Sequence, residues 1–276
     1  MIKAKSLATA VLATASALVL AAAPALGATA LQYTEIPFSP TEVSTNWVAD
    51  RATPSGGYES VTFGDRTNVL EIRIDADNQS SGSNFYYTEG LQRTIPDSDA
   101  VKVDLYIDPA WFSSDVPVRA GLWGVGHDGT GAVTAYPIVE FTTMGASGFV
   151  GWRTWDGILG GWTNQSQLTF TTGGWSTLEI FHSAETNEFS MTVNGTVAQS
   201  YAAGDSVTLG AVILNQYNSG SSGQDYTVHW SRLATGDLIS FAASKDECVD
   251  GGWAGYGFKN QGQCIASLVA ADGATG

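Results

Sequence analysis

The chain has 276 residues, of which 43% are hydrophobic and 14% are charged, so it can form one large β domain or two small domains. Its formal net charge of −15 repels nucleic-acid phosphates and anionic lipid, which excludes a nucleic-acid-binding protein. With 32 glycines and few charged residues, the composition is typical of an extracellular β protein with many turns. An uncharged polysaccharide would meet no electrostatic penalty at such a surface.

Residues 1–30 are predicted to be a secretory signal peptide. Two lysines precede an apolar run over residues 7–23, and Ala28-Thr29-Ala30 supplies the small residues that a signal peptidase requires. We predict cleavage after Ala30, with Gly27 as the second choice. The apolar run is too short and too rich in alanine to indicate a membrane anchor, and no other stretch could span a bilayer. The sequence therefore predicts a secreted protein.

Strands are predicted along most of the remaining chain. In the clearest of them, residues 101–107, apolar and polar side chains alternate, as in a half-buried strand. Asn194-Gly195 is a strong hairpin signal, because both central residues of a type I′ turn need positive φ. Further strands are predicted over residues 69–74, 85–88, 118–125, 168–171, 177–181, 189–193, 196–201, 207–214 and 226–230.

About a dozen strands separated by turns, with no helix predicted between the leader and the C-terminal tail, indicate an all-β fold. We predict an antiparallel two-sheet jelly-roll sandwich over residues 31–236. A hairpin formed by residues 138–142 and 149–155 is expected to carry the ligand site, because tryptophans and carboxylates concentrate in and beside it.

Three tryptophans of this region, Trp152, Trp155 and Trp162, are candidate platforms for sugar stacking. An aromatic ring offers an apolar face that matches the C–H face of a pyranose. Trp152 and Trp155 lie three residues apart and therefore face opposite sides of a regular strand, so at most one of them lines a ligand-binding face. Trp155 and Trp162 are favoured. The alternative is that these rings fill the core or cover a sheet edge.

Glu140 with Asp156 is the candidate acid/base pair for hydrolysis of a glycosidic bond, and Glu179 is the second possible partner. The alternative is that these carboxylates are solvated or form ion pairs, for example Glu140 with Arg119 or Arg153. His127, His182 and His229 are too scattered for a zinc site, and His182 is expected at the surface.

Asp75 and Asp77 begin a polar loop and are weak candidates for structural calcium. The loop lacks the glycine and the closing glutamate of a calcium-hand loop, so a solvated turn is the preferred interpretation. No other cofactor is predicted.

A boundary is predicted near Gly236. Residues 237–276 are too few to bury a core alone, and Cys248 and Cys264 are expected to form a disulfide in an exported chain. This segment is either an appendage packed on the sandwich or a disulfide-closed microdomain. Ser244 and Glu247 match a capping box, which predicts a short helical start there.

Residues 47–233 resemble a concanavalin A-like, or laminin-G-like, lectin/glucanase sandwich. The strand over residues 101–107, the hairpin at Asn194-Gly195 and the closing strand over residues 226–230 carry this resemblance. The superfamily includes lectins, glycoside hydrolases and polysaccharide lyases, so the resemblance does not select an activity. The Glu-x-Asp-x-x-Glu motif of its β-glucanase branch is absent.

The segment from Lys245 to Cys264 resembles a cysteine motif at the C-termini of exported actinobacterial proteins, which implies export and a disulfide. Together these observations predict a secreted, monomeric, carbohydrate-binding protein whose partner is a polysaccharide or a cell-surface glycan. A glycoside hydrolase or polysaccharide lyase on the same fold is the first alternative. An extracellular structural or interaction protein is the second.

Overall fold

The structure is a computed structural model that describes residues 29–82, 87–113, 115–143, 148–240, 245–256 and 259–266. The predicted signal peptide lies outside the described residues except for Thr29 and Ala30, which begin the first strand. Residues 30–239 form one compact unit, and the C-terminal residues belong to a second unit. Within the described part of the chain, no helix is long and apolar enough to cross a membrane.

Sixteen strands are found in the described residues: β1 (Thr29–Ile36), β2 (Val48–Asp50), β3 (Tyr58–Phe63), β4 (Arg66–Ile74), β5 (Thr88–Ser98), β6 (Ala100–Tyr106), β7 (Arg119–His127), β8 (Val133–Ala135), β9 (Ile138–Thr142), β10 (Gly151–Asp156), β11 (Gly161–Asn164), β12 (Trp175–Ser183), β13 (Glu188–Val193), β14 (Thr196–Ala202), β15 (Thr208–Tyr217) and β16 (Tyr226–Ser240). Helix α1 spans Pro40–Asn46, and single 3-10 turns span Pro109–Phe112, Gly220–Ser222, Lys245–Cys248 and Gly252–Tyr256. A last helical turn covers residues 261–266.

The strands form two eight-stranded antiparallel sheets. Sheet A has the order β14-β13-β12-β6-β16-β4-β3, with β1 also paired to β16. Sheet B has the order β11-β10-β9-β7-β15-β5-β2, with β8 also paired to β7. The predicted two-sheet antiparallel sandwich is therefore confirmed.

The main core lies between the sheets, because each strand turns alternate residues inward. In β6 the inward residues are Val101, Val103 and Leu105, all fully buried, as the sequence predicted. They share one cluster with residues from sheet B such as Leu122 and Phe141. This continuous cluster fixes the register of both sheets.

The central strands of sheet B are buried on both faces. Strands β7, β9 and β15 are buried almost throughout their length, whereas β12 of sheet A alternates between buried and half-exposed residues. On the outer face of sheet B, away from the main core, a second apolar cluster contains Trp123, Val125, Ile138, Ala211 and Ile213. Sheet B therefore has an outer face that is sheltered from water.

The predicted hairpins are present. Strands β9 and β10 pair antiparallel, with Glu140 opposite Arg153. Asn194 and Gly195 join β13 to β14 with φ of 50° and 75°, the positive values that the turn requires. The Asn194 side chain also accepts a hydrogen bond of 2.9 Å from the Thr177 amide.

The prediction that no helix lies between the leader and the tail is wrong for residues 40–46. Ser39 is the N-cap of α1, and its Oγ accepts a hydrogen bond of 3.2 Å from the Glu42 amide. Pro40 occupies the first helical turn, where its missing N–H costs nothing. A proline at this position therefore favours the start of the helix.

One strand prediction is wrong, and a second can be compared with the structure only in part. Residues 168–171 are not a strand, although Leu168 is buried; its amide instead donates to the Gln165 carbonyl in a turn. The strand predicted over residues 85–88 lies largely outside the described residues, and β5 begins only at Thr88.

His182 was expected at the surface but is 1% exposed, because its ring packs against Phe189 on the inward side of β12.

The C-terminal unit contains the predicted disulfide. Cys248 and Cys264 are bonded, with their Cα atoms 5.7 Å apart, and both are fully buried. Trp253, Tyr256 and Ile265 pack around them. The predicted helical start is a 3-10 turn over Lys245–Cys248, while Ser244 lies outside the described residues.

Candidate functional site: a groove on the outer face of sheet B

A cavity of about 550 Å³ lies on the outer face of sheet B, within the range of small-ligand sites. We call it the groove. Its lining residues come from six strands of sheet B and from two adjoining segments: Arg51, Thr88, Arg119, Trp123, Tyr136, Ile138, Glu140, Arg153, Trp155, Trp162, Asn215 and Tyr217.

One row of side chains across the sheet forms the apolar part of the groove. The register places Ile213 beside Trp123, Trp123 beside Ile138, and Ile138 beside Trp155. Trp162 on the edge strand β11 pairs with Trp155, and the two rings meet at 61° with centroids 5.5 Å apart. Trp162 is 38% exposed, so the row runs from a buried floor to an open aromatic rim.

The neighbouring row of side chains is polar and is interrupted by a glycine. It runs from Asn215 through Gly121 and Glu140 to Arg153. A Cβ atom at Gly121 would lie 3.2 Å from both Cβ and Cγ of Glu140. The glycine therefore allows the Glu140 side chain to lie close against the sheet.

Glu140 and Arg153 form a buried ion pair at the base of the groove. The Glu140 Oε1 atom accepts a hydrogen bond of 2.7 Å from Nε of Arg153 and lies 2.5 Å from Nη2 of the same guanidinium. Their side chains are only 5% and 8% exposed. Such a pair holds both groups in place, because separating them would leave an unpaired buried charge. The ion pair considered for Glu140 from the sequence is thus present, with Arg153.

Three guanidinium groups of the groove lie over the faces of aromatic rings. Arg153 lies 3.9 Å from the centroid of Trp162, and Arg51 lies 4.3 Å from that of Trp123. Arg119 lies 4.1 Å from the centroid of the Tyr217 ring. Stacking on the ring face attracts the cation and restricts its motion. The groove therefore presents fixed positive groups beside its apolar rings.

Arg119 differs from the other two arginines in its partners. Arg51 pairs with Asp50 at 2.7 Å, and Arg153 pairs with Glu140. Among the described residues, no carboxylate lies within ion-pair distance of Arg119, and its buried Nε lacks a hydrogen-bond acceptor. Burial lowers the pKa of Arg119, and the nearby Glu140 carboxylate opposes that shift.

The candidate catalytic carboxylates do not converge. Asp156 points to the opposite face of β10 from Glu140, where its Oδ1 accepts hydrogen bonds from the Ile158 and Leu159 amides at 2.9 Å. Glu179 belongs to sheet A and accepts a hydrogen bond from the Tyr33 hydroxyl. Neither Asp156 nor Glu179 lines the groove, which contains Glu140 as its carboxylate.

The three candidate tryptophans divide as the strand alternation predicts. Trp152 is fully buried in the main core, where its Nε1 donates to the Thr169 carbonyl at 3.2 Å. Trp155 and Trp162 both line the groove. Trp155 and Trp162 therefore face the groove, whereas Trp152 packs in the main core.

The candidate calcium loop is a turn closed by its own side chain. The Asp75 carboxylate accepts hydrogen bonds from the Asp77 and Asn78 amides at 3.0 and 3.2 Å, and from the Asn78 side chain at 2.6 Å. Within the described ranges, no three metal-binding side chains are grouped together. Asp75 thus stabilises the turn.

Comparison with known proteins identifies the fold. No protein-family model matches the sequence, and no curated protein is similar enough to count as a relative. Among solved structures, an endo-β-galactosidase from Clostridium perfringens that releases GlcNAcα1-4Gal matches 75% of this chain with a TM-score of 0.50 and 10% identity. This chain spans 62% of that enzyme's chain, and 19% of the chain of a sialidase that it also matches.

Bacillus licheniformis β-glucanase matches 74% of this chain and 97% of its own, with 12% identity and a TM-score of 0.45. Lectin II from Ulex europaeus matches 75% of this chain and 99% of its own, with 11% identity and a TM-score of 0.41. The fold is a concanavalin A-like sandwich. At these identities the matches establish the fold alone.

Several groove residues of this concanavalin A-like sandwich were not predicted as site residues. Trp123, Asn215 and Tyr217 lie on β7 and β15, far from the β9–β10 hairpin in sequence but adjacent to it in sheet B. Arg51 follows β2 at the far edge. One signal was available in the sequence, since the alternation of side chains along the predicted strand 118–125 puts Arg119 and Trp123 together on the face opposite Ala120 and Leu122.

Proposed function

We propose that this protein is a secreted, non-catalytic carbohydrate-binding protein, and that the groove is its binding site. The observation that carries the proposal is the aromatic row ending in Trp155 and Trp162, beside the polar row of Asn215, Glu140 and Arg153. Sugar rings present apolar C–H faces and polar edges, so they fit sites where aromatic rings adjoin hydrogen-bonding groups.

The contrast with sheet A supports this choice of face. Sheet A also carries a half-buried tryptophan, Trp175, which lies under the Arg66 guanidinium at a centroid distance of 4.0 Å. That ring packs against Phe63 and Tyr106 on the outer face of its sheet, and it lines neither the groove nor the smaller hollow of about 300 Å³ beside Arg73 and Asp225. The groove of sheet B combines aromatic rings with a hollow.

Hydrolysis by paired carboxylates is not the function that we propose. The two carboxyl groups of a glycosidase flank the scissile bond at about 5–9.5 Å from each other. Asp156 and Glu179 both lie away from the groove, and Glu140 is engaged by Arg153. If the alternative were correct, reducing sugar would be released from a polysaccharide and the release would stop in Glu140→Gln.

Isothermal titration against a panel of neutral and acidic oligosaccharides tests the proposal. We expect at least one ligand to bind, and Trp162→Ala to weaken that binding by about two- to twelvefold, because stacking on one ring is worth about 0.5–1.5 kcal/mol. Trp175→Ala is the matched control, since it removes an arginine-stacked tryptophan from the other sheet. Absence of binding with every glycan, in folded protein, would refute the proposal, as would equal losses in the two variants.

A further inference from the structure

We propose that the groove selects saccharides that carry a negatively charged group, a carboxylate or a sulfate, and that Arg119 is the residue that binds this group. The inference rests on the proposed function, because it names the class of carbohydrate that the same groove would take. It is drawn from the charges and hydrogen-bond partners of the groove residues.

The groove has the opposite charge to the rest of the molecule. The chain carries 27 acidic and 12 basic residues, yet three arginines line this single cavity against one carboxylate, Glu140. Placing like charges together in a sheltered site costs free energy unless an opposite charge compensates them. Neutral sugar would not need such an arrangement, whereas an anionic sugar would be attracted by it.

Two of these positive charges are already matched within the protein. The Arg153 guanidinium is held by Glu140 at 2.5 Å, and the Arg51 guanidinium by Asp50 at 2.7 Å. The remaining charge belongs to Arg119, for which no carboxylate partner exists in the described part of the chain. A ligand oxyanion beside Arg119 would supply the missing counter-charge and form charge-assisted hydrogen bonds.

Unmatched hydrogen-bond donors around the groove point to the same ligand chemistry. Nε of Arg119, Nε1 of Trp123 and Nδ2 of Asn215 are buried and have no acceptor in the described structure. All three residues line the groove. Buried donors without acceptors are uncommon in folded proteins, and they favour a ligand that is rich in acceptor oxygens. A carboxylate or a sulfate accepts without donating, unlike a sugar hydroxyl.

The extent of the positive region argues against a nucleic acid as the ligand. A nucleic acid needs a track of basic residues that follows several phosphates. The groove confines its arginines to one cavity of about 550 Å³ in a chain with a net charge of −15. One or two acidic sugar units fit this charge distribution.

Charge-matched pairs of polysaccharides test the inference with the unaltered protein. Oligogalacturonate is compared with its methyl ester, which has the same backbone without charge, and dextran sulfate oligomers are compared with dextran. We expect at least one charged ligand to bind at least tenfold more tightly than its neutral counterpart, with affinity falling as salt is raised because the attraction is electrostatic. The two charged ligands distinguish carboxylate from sulfate.

Substitutions of single arginines then test whether Arg119 is the residue that binds the charged group. Arg119→Gln is expected to remove at least nine-tenths of the preference for the charged ligand. Arg232→Gln makes the same charge change at an exposed arginine of β16 in sheet A and should leave the preference intact. Arg119→Lys retains a positive charge and serves if Arg119→Gln does not fold; it should keep the preference at reduced affinity, because lysine lacks the planar fork.

The outcomes separate this inference from the proposed function. Equal binding of charged and neutral partners would overturn the inference while leaving a carbohydrate-binding groove. A charge preference that survives Arg119→Gln would overturn the role of Arg119. No binding of any glycan to the folded protein would overturn both proposals.

Discussion

The ion pair between Glu140 and Arg153 makes a quantitative prediction about stability. Glu140→Gln keeps the shape of the side chain but removes its charge. At an effective dielectric constant of about 20, two charges about 4 Å apart attract by about 4 kcal/mol. Part of this is offset because the neutral amide is cheaper to bury, and the amide oxygen still accepts one N–H bond. We therefore expect a loss of about 3 kcal/mol, at the lower end for a broken buried pair.

Urea unfolding at neutral pH, followed by tryptophan fluorescence, measures this loss directly. In a thermal scan, 3 kcal/mol corresponds to a midpoint lowered by about 6–12 °C for a domain of this size. Glu188→Gln is the control, because Glu188 is exposed at the start of β13 and its neutralisation should change the free energy of unfolding by less than about 0.5 kcal/mol.

A double-mutant cycle with Arg153→Met isolates the pair itself. Glu140→Gln combined with Arg153→Met should cost less than the sum of the two single changes, because no partner is left with an unpaired buried charge. A loss of less than about 1 kcal/mol in Glu140→Gln, or additive effects in the cycle, would refute the description of this pair as buried and coupled.

Three further predictions concern other parts of the chain. Burial lowers the pKa of His229, although its hydrogen bond to Glu71 acts in the opposite direction, so the unfolded state binds the proton more tightly than the folded state. The stability that this group contributes is therefore complete above about pH 6.5 and is lost as the pH falls. His229→Gln should flatten the decline of the urea unfolding midpoint between about pH 7 and pH 5, and an unchanged slope would contradict this. Gly195→Ala should lower the free energy of unfolding by about 1–2 kcal/mol in the same assay, because φ is 75° at that position. The control is Gly129→Ala, which should leave the free energy of unfolding nearly unchanged because no atom lies close to the added methyl group; equal effects of the two changes would count against the turn assignment. Cys248→Ser should remove roughly 3 kcal/mol of loop constraint from the segment between the two cysteines, so protease should cleave that segment faster than in the parent protein; equal cleavage rates would contradict this.

The sandwich itself was accessible from the sequence because its strands alternate clearly. Residues 101–107 and 189–193 display their inward faces in the amino-acid order, and Asn194-Gly195 specifies its turn through local backbone geometry. Because successive side chains of a strand point to opposite faces, the sequence also predicted that Trp152 and Trp155 face opposite sides. These features depend on neighbours within a few residues, which is why the sequence was sufficient.

The groove could be predicted only in part. Trp155 and Trp162 were identified because they lie in and beside one hairpin, but Arg51 reaches the same cavity from the segment after β2, and Tyr217 reaches it from β15. The order of strands in sheet B depends on long-range packing that a single sequence does not display. Side chains alternate between the two faces of a strand, so Asp156 lies on the face opposite Arg153 and its partner Glu140. This separation could be derived only once β10 was known to extend as far as Asp156.

The edges of sheet B carry the parts of the groove that have least to do with folding. Strand β11, which bears Trp162, is almost entirely exposed, and Arg51 follows the short edge strand β2. The central strands instead hold the groove floor on one side and the main core on the other. Substitutions in β11 and in the segment after β2 should therefore change which ligand binds while lowering the stability of the fold only slightly. A library of variants confined to these two segments is the one best suited to selecting new binding specificities on this fold.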